Sequence, residues 1–180
     1  MGFMDFFKRK KDGGPDVLRD LVLRNIRKGY LLDYDMKTWQ VETENHYDWG
    51  HGDITKEWKL VAADDAIFLE LESDDDDEWC ISRKIPVRAL GEKLPEYIVE
   101  HDDPPETITY KGETYYLEES GGGHYYKDKS GVGEELLKWD FIDESGKAFI
   151  SIERWGETDF EAAAGKVVEE YQFTNILPGS

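Results

Sequence analysis

From Tyr30 to Lys84 apolar and polar residues alternate with a period of two, the spacing of a strand with one face buried. Trp39-Gln-Val41, Glu57-Trp-Lys-Leu-Val61, Ile67-Phe-Leu-Glu-Leu-Glu72 and Glu78-Trp-Cys-Ile-Ser-Arg83 each carry it. Clusters of Gly, Asp and Asn separate these segments, and Ser73-Asp-Asp-Asp-Asp77 predicts a polar hairpin loop. Upstream the period changes. Val17, Leu18, Leu21, Val22 and Ile26 recur at roughly helical spacing between Pro15 and Gly29, which predicts a short N-terminal helix. A strand using Leu21 and Leu23 is the competing reading. Leu94 to Glu100, with Pro95 at the first position and Asp102-Asp-Pro-Pro105 to stop it, predicts a short helical connector.

Beyond the connector the pattern repeats. Tyr34–Val41 matches Tyr110–Leu117 at an offset of 76, and Glu57–Leu60 matches Lys138–Phe141 at 81. Ile67–Glu72 matches Ala148–Glu153 at the same 81, and Trp79 meets Phe160. Four matched segments in one order predict an internal duplication, residues 30–84 and 108–162, within a single domain spanning 15–178. Each unit reads as an antiparallel meander of about four strands with one apolar face. The expected fold is mainly β, the two units closing as a sandwich or flattened barrel that buries those faces against each other, with Trp58 and Trp139 in equivalent core positions.

Charge narrows the partners. Of the 180 residues 35% are charged, for a formal net charge of −19. Residues 1–28 carry eight bases against four acids, and the remainder 14 bases against 37 acids. A body this negative repels phosphate backbones, so nucleic acid is excluded as a partner. The single cysteine, Cys80, forbids an internal disulfide and fits a reducing compartment. No apolar run reaches the roughly 18 residues of a membrane span. Phe3, Phe6 and Phe7 precede Lys8-Arg-Lys-Lys11, the reverse of a signal peptide, and the expected location is the cytoplasm.

The motifs resemble a bacterial family catalogued as domain of unknown function 4178. The residues that carry the likeness are Gly29-Tyr-Leu-Leu-Asp-Tyr-Asp35 with Thr38-Trp-Gln-Val41, Glu57-Trp-Lys-Leu60, and Asp103-Pro-Pro105. Ile108-Thr-Tyr110 with Gly112 and Tyr115, and Ile150-Ser-Ile-Glu-Arg-Trp-Gly156 with Glu161 and Gly165, extend it over roughly residues 17–178. The family brings no catalytic residues. Its members are encoded near membrane-stress proteins of the phage-shock type, small membrane proteins and polyamine-related synthetases, so the resemblance implies an accessory role at the inner membrane.

Candidate chemistry is sparse. His46 and His51 lie five apart beside Asp48 and Asp53, neither a strand nor a helix spacing for zinc, so no metal site is expected. Cys80, between Trp79 and Ile81, reads as an inert thiol. Asp74–Glu78 lacks the alternating ligands and glycine of a calcium loop. Gly121–Gly123 and Gly131-Val-Gly133 read as flexible hairpin loops, and the segment Tyr47–Asp53 as a loop. Glu72 and Glu153 read as outward-facing strand residues flanking Arg83 and Arg154. Neither catalysis nor a cofactor is expected.

The leading expectation is therefore a non-enzymatic interaction module with a protein partner near the membrane. Trp49 and Trp155, each beside a glycine, are the expected partly exposed contacts. Phe3, Phe6 and Phe7, next to four cations, are candidates for weak interfacial membrane contact through residues 1–11, part of a basic leader of residues 1–14. The alternative is a small-molecule binder that takes a cationic, polyamine-like ligand in the mouth of a β-barrel. A deep pocket lined by Glu, Asp and Trp separates that alternative from a module with a filled interior.

Overall fold

The computed structural model describes residues 21–179. Eleven antiparallel strands follow one another: β1 (Leu31–Tyr34), β2 (Lys37–Gly50), β3 (Asp53–Ala62), β4 (Asp65–Ser73), β5 (Asp77–Ile85), β6 (Thr107–Tyr110), β7 (Glu113–Tyr126), β8 (Glu134–Ile142), β9 (Ala148–Trp155), β10 (Asp159–Val168) and β11 (Thr174–Leu177). Between β5 and β6 lies the expected connector helix α1 (Leu94–His101), with Pro95 in its first turn and Asp102 capping it in the left-handed conformation at φ 60°.

Eight of the strands close a barrel in the order β2-β3-β4-β5-β10-β9-β8-β7, and β7 returns to β2. Two seams join the halves. β5 pairs with β10 over seven residues, and β2 with β7 over three, His46↔Tyr126, Tyr47↔Tyr125 and Asp48↔His124. The closing strands are long because each serves two partners along one edge. The first residues of β2 pair with β1 and residues near its end with β7; β7 does the same with β6 and β2. Strands β1, β11 and β6 hang outside the barrel.

The faces are distributed in an unexpected way. Cross-lumen contacts join polar residues of opposite halves, such as Tyr47 to Glu153 and Lys138 to Glu70. The apolar residues form two separate clusters instead of one. The first holds Trp39, Trp58, Leu60, Ile67, Leu69 and Trp79 of β2–β5, covered by Leu23, Ile26 and Phe173 from the chain's two flanks. The second holds Trp139, Phe141, Ile150 and Ile152, covered by Leu90, Leu94 and Ile98 of the connector. The expectation that the units bury their apolar faces against each other is thus corrected. Those faces point outward, each under its own cover, and the polar faces line the lumen.

Two irregularities in the ladder make this possible. Val41 pairs with Leu60 but Thr43 pairs with Lys59, leaving Glu42 over; Leu117 pairs with Phe141 but Glu119 with Asp140, leaving Glu118 over. One extra residue turns the strand over. Trp39 and Val41 therefore face the outer core, while Thr43, Asn45 and Tyr47, the next odd positions, face the lumen.

Three further expectations change. The described part of the expected N-terminal helix, residues 21–28, holds one 3-10 turn, Leu23–Asn25, and Ile26 is extended. The three-residue step from Leu23 to Ile26 suits that turn as well as it suits an α-helix, and both side chains bury under β3. The Trp58 indole N–H donates to the Ile26 carbonyl at 3.0 Å and pins the segment there. Gly121–Gly123 belong to β7, and Tyr47–Gly50 to β2, with the turn at His51-Gly52. A Cβ on Gly123 would sit 2.6 Å from the Trp49 ring and 2.7 Å from the Asp48 carbonyl, so glycine serves close strand approach here. The offset of 81 also fails beyond the third strand. Trp58 pairs with Leu69 and Trp139 with Ile152, so with the two tryptophans aligned the next strands align at 83, and Phe68 meets Ser151 rather than Phe149. A two-residue shift preserves which face each side chain takes, and alternation alone cannot detect it.

Gly165 gives the sharpest test of the β5–β10 seam. A Cβ there would lie 2.3 Å from the Phe149 ring and 2.4 Å from the Ile81 carbonyl, whereas one on Gly121 would meet nothing within 4 Å. Chemical denaturation should show Gly165→Ala losing about 1–3 kcal/mol and Gly121→Ala losing clearly less. Equal losses would contradict the packing described.

Candidate functional site

The lumen is built from alternate residues of the strands that enclose it. Glu57 comes from β3, Glu70 from β4, Lys84 from β5, Lys138 and Asp140 from β8, Glu153 from β9, and Asn45 and Tyr47 from β2. Glu57 is 3% exposed, Glu153 5% and Lys138 8%. Charges this deep persist only when paired or hydrogen-bonded.

Each glutamate solves that problem differently. Glu57 accepts from the Asn45 side-chain N–H at 2.8 Å and from the Tyr125 hydroxyl at 2.7 Å, both on Oε1. Its Oε2 lies 3.2 Å from the Tyr47 hydroxyl. Glu153 lies 2.7 Å from that same hydroxyl through Oε1, and its Oε2 accepts from the Lys84 ammonium at 3.4 Å. Glu70 pairs with Lys138 at 3.7 Å. Burial raises the Glu57 carboxyl above its ordinary value, against the hydrogen bonds from Tyr125 and Asn45. Burial likewise pushes the Glu70 carboxyl up to about 7, with Lys138 pulling the other way. The Tyr47 phenol is raised well above its usual value by burial and by the carboxylates of Glu57 and Glu153.

Lys138 sits in a cage. Its ammonium lies 3.7 Å from Glu70, 3.5 Å from Asp140, and over the rings of Tyr47 and Trp49 at 5.4 and 5.8 Å. Burial opposes its charge, but Glu70, Asp140 and Glu153 outweigh that and hold it protonated far above the ordinary lysine value. Lys84 repeats the arrangement nearer the surface, 2.7 Å from Glu161 and 5.4 Å from the Phe68 ring. The lumen thus binds ammonium groups twice, using the chain's own lysines.

At the Lys84 end the lumen opens into a cleft of about 650 Å³. Five carboxylates line it, Glu57, Glu134, Glu153, Asp159 and Glu161, against three lysines, Lys59, Lys84 and Lys127. Lys84 is committed to Glu153 and Glu161, and Lys59 to Glu42. Among the described residues Glu57 forms no ion pair. Tyr47, Tyr125, Trp155 and Phe68 supply aromatic surface to the same cleft.

The sequence-predicted residues fall in different places. Trp155 is half-buried in the cleft, its ring edge-on to Tyr125 at 5.6 Å. Trp49 is also half-buried, stacked on Tyr47 at 5.2 Å with its N–H donated to the Thr55 hydroxyl at 3.0 Å, at the far end of the lumen. The two are not brought together. Phe3, Phe6 and Phe7 lie outside the described residues. Glu153, expected to face outward, is buried in the lumen instead, because the polar face of β9 is the inner one; Glu72, expected outward as well, lies on the inner face of β4 and is exposed at the end of the lumen with Lys138 and Asp140. Cys80 faces the lumen opposite Glu70, and burial followed by the Glu70 charge raises its thiol well above the ordinary range, which leaves it a poor nucleophile. His46 stacks on Tyr126 at 4.7 Å, His101 ends α1, and His124 lies 4.0 Å from Glu135. Among the described residues no three His, Cys, Asp or Glu side chains are grouped to hold a metal, and no helix is long and apolar enough to cross a membrane. Sequence reading missed Glu57, Glu70, Lys84, Lys138, Tyr47 and Tyr125. The one available signal was that Glu57 and Lys138, aligned at 81, are of opposite charge on the polar face of matched strands.

Comparison with known proteins gives a family and a relative. The family described as "Domain of unknown function (DUF4178)" matches residues 27–170. A protein of Aquifex aeolicus (strain VF5), described as "Uncharacterized protein", is 29% identical over 182 residues, covering 99% of this chain and 99% of its own. No solved structure matches.

Glu70 makes the lumen's electrostatics measurable. Its carboxyl titrates at about 7 in the folded chain, against 4.5 for an ordinary glutamate. Between those values the folded state keeps a proton the unfolded state has lost, so its share of stability falls as pH rises through that window. Glu70→Gln should flatten the fall, by no more than about 3 kcal/mol, in urea denaturation run from pH about 4.5 to about 7. An unchanged slope would show that Glu70 ionises normally.

Proposed function

This chain belongs to the DUF4178 family, and we propose from its cleft that it is a binding protein for organic ammonium ions of the linear polyamine type. The observation that carries the reading is Glu57, a buried carboxyl without a cationic partner among the described residues, at the floor of a cleft whose lining holds more carboxylates than lysines. Aromatic faces beside carboxylates suit alkylammonium groups, whose charge needs an anion and whose methylenes need apolar cover. Lys84 and Lys138 support it further, since both are butylammonium groups held by carboxylates and rings in this lumen. Sequence alone put a protein-interaction module first; a lumen that opens into a cleft lined by Glu, Asp and Trp favours the binder. The same reading takes residues 30–84 and 108–162 as copies of one unit, supported by β2 and β7, each 14 residues long and sharing an irregularity at positions 76 apart, Val41/Thr43 and Leu117/Glu119.

Calorimetric titration of the full chain tests it. Diaminopentane and a linear triamine should bind saturably, the triamine more tightly, while glutarate should not bind. Glu161→Gln should weaken the triamine about tenfold, about 1.4 kcal/mol. Absence of saturable heat with either amine, or equal binding of glutarate, would end the reading.

A further inference from the structure

We infer that Glu57 carries a proton on Oε2 in the free protein and gives it up when an ammonium ion enters the cleft, so that ligand binding is an exchange of one cation for one proton. The first half of the inference stands on hydrogen-bond geometry alone; the second rests on the amine-binding reading above.

The geometry is a matter of counting protons. The Tyr47 hydroxyl lies within hydrogen-bonding distance of two carboxyls, 2.7 Å from Glu153 Oε1 and 3.2 Å from Glu57 Oε2. A phenol has one proton to donate, so with both carboxyls ionised one of these contacts would set two oxygen lone pairs against each other. The second proton has to sit on a carboxyl. Glu153 is the poor candidate, because its other oxygen accepts from the Lys84 ammonium. On Glu57 the position is fixed further. The Asp128 backbone N–H donates to Asn45 Oδ1 at 3.0 Å, which turns the Asn45 amide so that its N–H groups face Glu57. Oε1 of Glu57 then accepts from both Asn45 and Tyr125. Only Oε2 remains for the proton, and from there it is donated to the Tyr47 oxygen while Tyr47 donates onward to Glu153.

The surroundings agree. The charged and titratable groups set around Glu57 are Tyr47 from β2, Lys59 from its own strand, Glu70 from β4, Lys84 from β5, Tyr125 from β7, Lys127 just after it, Glu134 from β8, Glu153 from β9, and Asp159 and Glu161 from β10. Glu70, Lys138, Lys84, Glu153 and Glu161 already pair among themselves. Among the described residues no cation lies within ion-pairing distance of Glu57, Lys127 standing exposed at the edge of the cleft, and burial disfavours the ionised form of Glu57. An entering ammonium supplies the counter-charge. Glu57 then releases its proton to solvent and keeps the Asn45 and Tyr125 hydrogen bonds, while an N–H of the ammonium takes the place of the lost proton at Oε2, so that Oε2 and the Tyr47 oxygen are not left with lone pairs opposed. Charge balances: one carboxyl and one ammonium become one carboxylate–ammonium pair and one free proton.

Infrared spectroscopy and calorimetry test the two halves separately. At neutral pH the wild-type protein should show the carbonyl stretch of a buried protonated carboxyl that Glu57→Gln removes. The amide of that variant keeps an acceptor for Asn45 and Tyr125 and a donor for Tyr47, so the fold should hold. Should it fail to fold, carbon-13 spectra of glutamate-labelled wild type read the same proton, with Glu70→Gln and Glu72→Gln identifying the other two raised carboxyls. Titration of diaminopentane in two buffers of different ionisation heat should then give one proton released per amine in wild type and in Glu161→Gln, and none in Glu57→Gln. Wild-type affinity should tighten about tenfold for each unit of rising pH while Glu57 is still protonated. A spectrum without the Glu57 carboxyl band overturns the protonated ground state. Amine binding without proton release overturns the exchange. A band at Glu57 with no amine binding overturns the exchange together with the amine reading, while leaving the proton where the geometry puts it.

Discussion

Three buried glutamates share one enclosed interior, and the barrel closes with each of them neutralised in its own way. Two take a lysine from another strand, Glu70 from β8 and Glu153 from β5. The third accepts hydrogen bonds from Asn45 and Tyr125 and shares a further one with Tyr47, so tyrosines of both long strands hold it. A buried ion pair adds little net stability over an apolar pair of the same shape, but removing one partner costs several kcal/mol. These contacts therefore act less as adhesive than as a condition of assembly. Any arrangement of the halves that failed to bring Lys138 to Glu70 and Tyr47 to Glu153 would strand charges in the lumen. The register of closure is set there, at residues remote in sequence, and the three-pair β2–β7 seam inherits it.

Much of the strand content was legible because alternation is a local property. The segments around Trp58, Phe68, Trp79 and Trp139 lie in the strands that their period-two pattern predicts, and Pro95 with Asp102 marks the one α-helix among the described residues. What alternation cannot say is which of a strand's two faces will be enclosed. Glu57-Trp-Lys-Leu60 reads as polar-out and apolar-in, and in an ordinary sandwich it would be. Here both faces are covered, the apolar one by flanking segments and the polar one by the opposite half, so Glu57 is as buried as Trp58. That reversal hid the candidate site, since a carboxylate on the polar face of a strand looks solvated until its cross-lumen partner is known.

The other misreadings share a cause. Glycine in a row suggests a loop, yet Gly121–Gly123 lie in β7, where the Trp49 ring takes the space a side chain on Gly123 would need. The extra residues Glu42 and Glu118 look like ordinary members of alternating runs, yet they turn β2 and β7 over in mid-strand. Each is decided by a neighbour more than ten residues away, which no local pattern contains.

Placing both apolar clusters outside the wall separates two jobs that most small barrels give to the same residues. Where the lumen is the hydrophobic core, changing what it holds means repacking what keeps the chain folded. In this chain the residues around Trp58 and Trp139 hold the wall from outside, and the cleft residues at Glu134, Asp159 and Glu161 contribute nothing to either cluster. The mouth of the barrel can therefore diverge in sequence at small thermodynamic cost, so long as the inner charges stay balanced. Two proteins of this architecture can keep one scaffold and yet differ completely in what their clefts accept.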